Sequence, residues 1–429
     1  MQNHFDQIMN PGPDWAQVRS LAFVWWLGFL PQSAAVNLTQ IPMVSLPYLG
    51  SRFGDVKAVS AIKKGYGDFI RIFRMKTDNV SDDFLEALSR AVEKGVVDES
   101  YAAELAATAE GGNLAALIPG NKAQRGLAQV SHWGAWMFQN TEKINRRVVF
   151  SAAWNLAERD PGNAFLQELK ELNTLEFNEL LSDGFTNEQA LSYLAGRDAV
   201  WSTQFQYSNH ARPRFIRGRK GVIFTFFTFL QSMVHFAAHD RARTRFFLMM
   251  FLFAGVMGLP GADDFNAFVR FASRKLLGED VNLEMEMRKM IVNMADGDID
   301  PDIILHGTSR VGFGMHAAAD LAGIPFPEFD LSASLGLGRI IPGFKEAFGT
   351  QHKSFAANFA KIGQDVAGAS LGIGINIWQA LSDDELPFGD HKRWERAMPR
   401  ALKSLVRANR FHTEGRERDR KGATFMEFD

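Results

Sequence analysis

The chain has 429 residues with 47 Lys and Arg against 49 Asp and Glu, a net charge of −2, 46% hydrophobic and 22% charged residues. That length holds one large or two ordinary domains, and a mean hydropathy of −0.13 excludes a polytopic membrane protein. The near-neutral balance excludes a chain that binds nucleic acid over its whole surface, and the lack of cysteine excludes disulfides, thiol nucleophiles and cysteine metal sites.

Phe outnumbers Tyr by 37 to 5, which points to extensive apolar contact surface in a core or between subunits. The first residues, MQNHFDQIMNPGPDW, carry no basic region followed by an apolar run, so no secretory signal is expected there. Residues 15–30 read as a helix closed by Pro31, with the apolar stretch LAFVWWLGFL at 21–30 marking it as a core helix. Residues 33–55, SAAVNLTQIPMVSLPYLGSRFGD, are apolar and punctuated by Pro42 and Pro47. Proline disfavours helical geometry in the residue before it, so the segment is expected to be an extended, buried connector. Asn37, Thr39 and Gln40 would then need hydrogen-bond partners.

Helical periodicity resumes at 56–75. Ser81 is a candidate N-cap for a helix with Phe84, Leu85, Leu88 and Val92 on one face, ending near Gly95. Asp98 can cap a further short helix ending at Gly111-Gly112, and 113–126 reads as a loop with one helical turn. Trp133, Trp136, Met137, Ile144, Val148, Ala152 and Leu156 fit one buried stripe ending at Asp160-Pro161-Gly162. A helix over 174–181 closes at Gly184, and Thr186 with Gln189 forms a capping box for a helix ending at Gly196.

The stretch from Ala211 to Ala262 is the most one-sided in the chain. A basic entry (Arg212, Arg214, Arg217, Arg219, Lys220) precedes GVIFTFFTFLQSMVHFAA, with Phe224, Phe226, Phe227 and Phe229. A second basic cluster, Arg241, Arg243 and Arg245, precedes FFLMMFLFAGVMGLPGA, with Phe246, Phe247, Leu248, Phe251 and Phe253. Each block nears the roughly 20 residues that cross a bilayer, but Gln231 and His235 interrupt the first and Gly258-Leu259-Pro260-Gly261 stops the second. Two readings stand: a pair of buried helices, or a hairpin able to exchange a protein environment for lipid or a sister subunit. The phenylalanines and Leu248 are the candidate membrane or interface contacts, and the basic residues are candidate contacts to anionic lipid or a DNA backbone.

Asp263 and Asp264 can cap a helix carrying Phe265, Phe268, Val269 and Leu276, and 281–294 forms a Met-rich helix. DGDIDPD at 296–302 resembles a calcium loop but lacks the glycine and closing glutamate that such a loop requires. From 307 to 374 Gly, Ala and Pro dominate, and a small-residue helix is expected over 367–380. Near the C-terminus Arg393, Arg396, Arg400, Lys403, Arg407 and Arg410 fall on one helical face, which suits a phosphate backbone or an anionic surface. Residues 413–429 read as loosely ordered. His235 and His239 stand four apart but lack an evident third ligand, and no Walker loop, dinucleotide fingerprint, HExxH or nucleophile elbow occurs. No catalytic residue, metal or cofactor is expected.

Four stretches resemble the large internal virion proteins of tailed bacteriophages, which travel in the capsid and are ejected with the genome. They are 33–55, QFQYSNHARPRFIRGRKGVIFTFFTFLQ at 204–231, DLSASLGLGRIIPG at 330–343 and ERAMPRALKSLVRANRFHTEGRERDRKG at 395–422. The nearest comparison is the domain with a Pro-Leu-x-Arg-Phe-Gly signature. Here Leu49-Gly50-Ser51-Arg52-Phe53-Gly54 departs from it at the Pro and Leu positions. The resemblance implies a non-enzymatic virion protein that helps form a conduit for DNA across the host envelope. Its expected partners are other virion proteins, copies of itself, the host membrane and the phage DNA backbone. A structural capsid-core oligomer and an enzyme acting on envelope or nucleic acid are the rival readings. The expected architecture is all-α, an irregular multi-helix array with long extended connectors. It divides into a helical domain over 1–210, a central apolar hairpin with Arg clusters over 211–280, and a helical, Gly-rich region with a basic C-terminal helix over 281–429.

Overall fold

The computed structural model describes residues 31–77, 79–97, 121–204, 227–294 and 299–308, with isolated positions beyond 397. The fold is all-α, an irregular helical array. One short antiparallel β pair joins β1 (Arg416–Arg418) to β2 (Thr424–Glu427), where the sequence suggested loose order.

The expected extended segment over 33–55 is helical instead. It comprises α1 (Pro31–Leu38), a π-helical turn (Ile41–Ser45) and α2 (Leu46–Phe53). Pro42 and Pro47 each stand in the first turn of an element, where a missing N–H leaves no bond unmade. The segment is buried as expected, with Ile41, Met43, Val44, Tyr48 and Leu49 in the core. Its polar residues are satisfied: Asn37 donates to Thr141 Oγ1 at 3.1 Å, Thr39 to the Val36 carbonyl at 2.6 Å and Gln40 to the Thr203 carbonyl at 2.9 Å.

Next follow α3 (Asp55–Phe73), α4 (Asp82–Glu93), α5 (Asn121–Arg159), α6 (Ala164–Leu172), α7 (Thr174–Ser182) and α8 (Asn187–Thr203). The centre of the array is α5, packed between α3 and α8. At 39 residues it runs about 58 Å and absorbs 121–126, which the sequence suggested was loop. Val148, Ala152 and Leu156 from the expected stripe are buried, whereas Trp136 is exposed.

Close helix approach depends on two glycines. A Cβ on Gly65 of α3 would lie 2.7 Å from the Val148 carbonyl of α5, and one on Gly196 of α8 would lie 2.7 Å from the Phe150 ring. That packing explains why α8 continues through Gly196 to Thr203 rather than stopping. Its capping box forms as expected, Thr186 Oγ1 accepting from Gln189 N at 3.3 Å and Gln189 Oε1 from Thr186 N at 2.7 Å. Phe84 of α4 meets Phe150 and Trp154 of α5, and Phe150 meets Tyr193 of α8, at centroid separations of 6.2, 5.9 and 5.8 Å. On α4 Leu88 is buried, whereas Val92 lies outward, and Ser81 stands at the N-cap without a side-chain bond.

The chain continues through α9 (Phe227–His239), α10 (Arg243–Ala254), a 3-10 turn (Val256–Gly258), α11 (Ala262–Leu276), α12 (Leu283–Met294) and α13 (Pro301–His306). Gly261, not an aspartate, holds the N-cap of α11, with Asp263 and Asp264 in its first turn. Phe265, Phe268 and Leu276 on this helix are exposed. In the acidic 296–302 stretch, whose spacing does not make a calcium loop, Asp300 caps α13 by accepting from Asp302 N at 2.9 Å, and Asp302 pairs with Arg288.

Gly255 and Gly307 both have positive φ, and each passes against the other strand of the crossing between α10 and α13. A Cβ on Gly255 would strike the Leu305–His306 backbone, and one on Gly307 the Phe253–Ala254 backbone. Thr308 seals the crossing by donating its N–H to the Leu252 carbonyl at 2.9 Å. The expected elements at 15–30, 98–112 and 367–380, and the basic helical face formed by Arg393, Arg396, Arg400, Arg407 and Arg410, lie outside the described residues.

Candidate functional site

The two apolar blocks form a helical hairpin, α9 and α10, joined across Asp240, Arg241 and Ala242. Its described helices have 13 and 12 residues, about 20 and 18 Å long against a hydrocarbon core of about 30 Å. Among the described residues no helix is long and apolar enough to cross a membrane. The second block is divided at Gly255, whose φ of +67° ends α10.

One face of the hairpin is sealed into the main core. Met233, Phe236 and Ala237 from α9 and Phe246, Met250 and Ala254 from α10 join the same cluster as α2, α5 and α8. Phe236 and Phe246 meet edge to face at 5.4 Å. Phe246, which the sequence suggests as a lipid or interface contact, is instead a core residue, because its helix packs on α2 and it has no exposed surface. Phe247 and Phe253 are half-buried against the core. Leu248, Phe251 and Leu252 are exposed at 64%, 40% and 48% and form the outer face of α10. Phe224 and Phe226 lie outside the described residues; Phe227 and Phe229 belong to α9, their side chains outside the description.

The turn is held by three ion pairs, each reaching a different core helix. Arg52 of α2 grips Asp240 with two nitrogens, at 3.2 and 3.0 Å. Arg241 pairs with Glu168 of α6 at 2.9 Å to both oxygens, and Arg245 with Asp55 of α3 at 2.7 and 3.3 Å. Two of the three arginines read as contacts for external anions thus already face carboxylates of their own chain. Arg243 is exposed. The basic entry, Arg212, Arg214, Arg217, Arg219 and Lys220, lies outside the described residues.

The three pairs differ in weight. Side-chain exposure is 11% and 15% for Arg52 and Asp240, but 66% and 45% for Arg241 and Glu168 and 43% and 63% for Arg245 and Asp55. Solvent screening leaves an exposed pair worth about 0–1 kcal/mol, so Arg52–Asp240 dominates. It is also the best supported: Asp240 Oδ1 accepts from Ala242 N at 2.8 Å, which fixes the turn. The Arg52 guanidinium lies 3.5 Å over the Tyr48 ring and 5.1 Å from that of Phe165.

Tyr48 has no exposed surface and donates its hydroxyl hydrogen to Asp198 of α8. Burial first, then the Asp198 charge, pushes its ionisation well above the ordinary phenol value. Burial works against the charge on Arg52, but Tyr48 and Asp240 outweigh it and hold the guanidinium above its usual value. The result is a continuous polar path from Asp198 through Tyr48 and Arg52 to the hairpin turn.

Arg52 belongs to the run Leu49–Gly54, and the other residues of that run have local tasks. Phe53 is buried edge to face on Phe165 at 5.8 Å. Gly54 takes a φ of +94°, which lets α2 turn into α3. A Cβ on Gly50 would collide with the Asp55 carboxylate that receives Arg245. Sequence reasoning passed over Tyr48, Asp55, Glu168 and Asp198. The one local signal was a lone acid, Asp240, embedded between basic residues.

His235 and His239 stack at 4.5 Å, with His239 Nδ1 3.1 Å from the His235 carbonyl. Among the described residues no three His, Asp or Glu side chains are grouped to hold a metal ion. Compared with protein-family models, curated proteins and solved structures, the chain matches none.

Proposed function

We propose that this chain is a bacteriophage internal virion protein, stored in the capsid, ejected with the genome and helping to form a conduit for DNA across the host envelope. Its role is structural, without catalysis. In the stored state the α9–α10 hairpin is latched on the core; after ejection it is released toward lipid or sister subunits, and its arginines exchange internal carboxylates for anionic headgroups or DNA phosphates. The observation that carries this reading is a coincidence of two independent features. The run Leu49–Gly54, which lies in one of the four stretches compared with phage proteins and departs from the signature at its Pro and Leu positions, is also the piece that fastens the apolar hairpin through Arg52 and Asp240.

Vesicle flotation with anionic liposomes tests the hairpin step on three proteins: the intact chain, Arg52→Ala, and Arg52→Ala combined with Phe227→Asp and Phe251→Asp. Unlatching is expected to raise the bound fraction about tenfold, a shift of about 1.4 kcal/mol, and the aspartates to remove that gain. Far-ultraviolet circular dichroism checks that all three stay helical. The hairpin step fails if none binds, or if the aspartates change nothing. Virion storage is tested by protein analysis of particles before and after DNA release; persistence in emptied particles would refute ejection. That outcome favours the rival reading, a capsid-core oligomer. The sealing of Phe246, Met250 and Ala254 in the core supports this rival.

A further inference from the structure

Where α3 packs on α5, a lysine, an asparagine and an aspartate come together. Gly65 sets how close the two helices lie: a Cβ there would stand 2.7 Å from the Val148 carbonyl oxygen and 3.4 Å from Ala152 N. Its neighbour Lys64 reaches across to α5 and donates from Nζ to Asn155 Oδ1. Asn155 and Asp68 are nearly sealed, at 3% and 4% exposure, while Lys64 stays open to solvent. Lys64 and Asp68 stand four apart on α3 and so share a face.

Hydrogen bonds fix how the Asn155 amide points. Nδ2 donates to the Ser151 carbonyl at 2.7 Å, to Ser151 Oγ at 3.2 Å and to Asp68 Oδ2 at 3.4 Å. Turning the amide over would set its oxygen against that carbonyl and that carboxylate, and its nitrogen against the lysine. The acid is held in turn: Oδ2 accepts from Ser151 Oγ at 3.0 Å and Oδ1 from Arg71 Nη1 at 3.4 Å. The amide therefore shows its carbonyl to an amine and its nitrogen to a carboxyl group. Sealing an amide and an acid from water costs free energy, and a surface hydrogen bond to lysine has no need of either.

We propose that Lys64 and Asn155 become joined by an intramolecular isopeptide bond, with Asp68 carrying the protons. The Lys64 ammonium gives one proton to Asp68 and becomes an amine, whose Nζ attacks Asn155 Cγ. A second proton passes from Nζ to Nδ2, the Cγ–Nδ2 bond breaks, and the nitrogen departs as ammonium with the proton that Asp68 had taken. The product is a secondary amide between Nζ and Cγ, Asp68 is a carboxylate again, and the balance requires no oxidant, reductant or co-reactant. Holding amine and carbonyl together supplies the entropic advantage, and proton transfer at both nitrogens supplies the acid–base part. The open side of Lys64 gives the ammonium a way out. Each chain reacts once, so the step is a self-modification without turnover. A chain that has no cysteine thereby gains a covalent tie across 91 positions, between the central helix and its neighbour. Neither the hairpin nor the virion reading enters this argument.

Mass spectrometry of the denatured full chain reads the bond directly. Protein that has folded is expected to weigh one ammonia less than its sequence, and its tryptic digest to contain a branched peptide in which Lys64 is uncleaved and linked to Asn155. Lys64→Arg keeps the charge at an exposed position. It is expected to restore the full mass with unchanged helical circular dichroism and to lower the thermal midpoint. Asp68→Ala, checked for helicity in the same way, is expected to slow the loss of ammonia at least about a hundredfold. Full mass in folded protein after prolonged incubation overturns the proposal. So does an ammonia deficit that persists in Lys64→Arg or maps to other residues. Undiminished bond formation in Asp68→Ala overturns the role given to Asp68.

Discussion

Tyr48 is the residue on which the hairpin latch leans. Its ring supports the Arg52 guanidinium at 3.5 Å and its hydroxyl is spent on Asp198. A phenol whose folded ionisation is raised above its unfolded value contributes stability that is fully present below about pH 10 and lost as pH climbs toward the folded value. Tyr193, pushed by burial up to about 12, adds to the same window. Urea unfolding is therefore expected to show stability falling between about pH 10 and 12. Tyr48→Phe should make that slope shallower, by up to about 1.4 kcal/mol per pH unit. At neutral pH the same change should cost about 1.5–3 kcal/mol, the worth of a hydrogen bond to a charged acceptor. An unchanged alkaline slope would show that Tyr48 does not stay protonated through its burial.

At the scale of elements, glycine divides sharply by environment within one helix. Gly65 and Gly67 both weaken α3 relative to alanine by about 1 kcal/mol of intrinsic propensity. A Cβ on Gly65 meets the Val148 carbonyl at 2.7 Å, backbone that cannot swing aside, whereas Gly67 has open space. Gly67→Ala should raise the thermal midpoint, a gain of about 0.5–1 kcal/mol. Gly65→Ala should lower it despite the better propensity, by about 1–3 kcal/mol from overpacking. Scanning calorimetry of the pair separates local preference from packing. The same competition governs what the sequence disclosed. Helical period and the Thr186–Gln189 box identify α3, α7 and the start of α8 because those signals are local. The stop at Gly196 and the extended path over 33–55 fail for a tertiary reason: glycine there serves close packing on Phe150, and the prolines occupy first turns. The ion pairs of the hairpin turn were illegible for a related cause, since Arg52 and Asp240 lie 188 positions apart.

Across the whole molecule, burial is uneven. The main cluster runs from Ile41 to Ala254 and includes the inner face of the hairpin. Beyond it α11, α12 and α13 add little: Ala267 and Leu305 are buried, while Phe265, Leu276, Met285, Met290 and Met294 are all exposed. Local stability follows apolar burial. Amide exchange is expected to be slowest in α5 and α8, intermediate in α10 and fastest in α12. Arg52→Ala, which leaves Asp240 largely buried without its main partner, should speed exchange in α9 and α10 by a factor matching about 3 kcal/mol, with α5 hardly affected. Uniform acceleration across all helices would mean that the hairpin is no separate cooperative unit.

The crossing of Gly255 over Gly307 has a mechanical corollary. Two backbones with no side chain between them, stitched by Thr308 to Leu252, act as a buckle between the far end of the hairpin and the polypeptide that follows. A tug on the chain after residue 308 would be delivered to the free end of α10, prising it outward against the grip of Arg52 at the other end. Tension applied downstream thus becomes leverage on the greasy hairpin before any of it reaches α5.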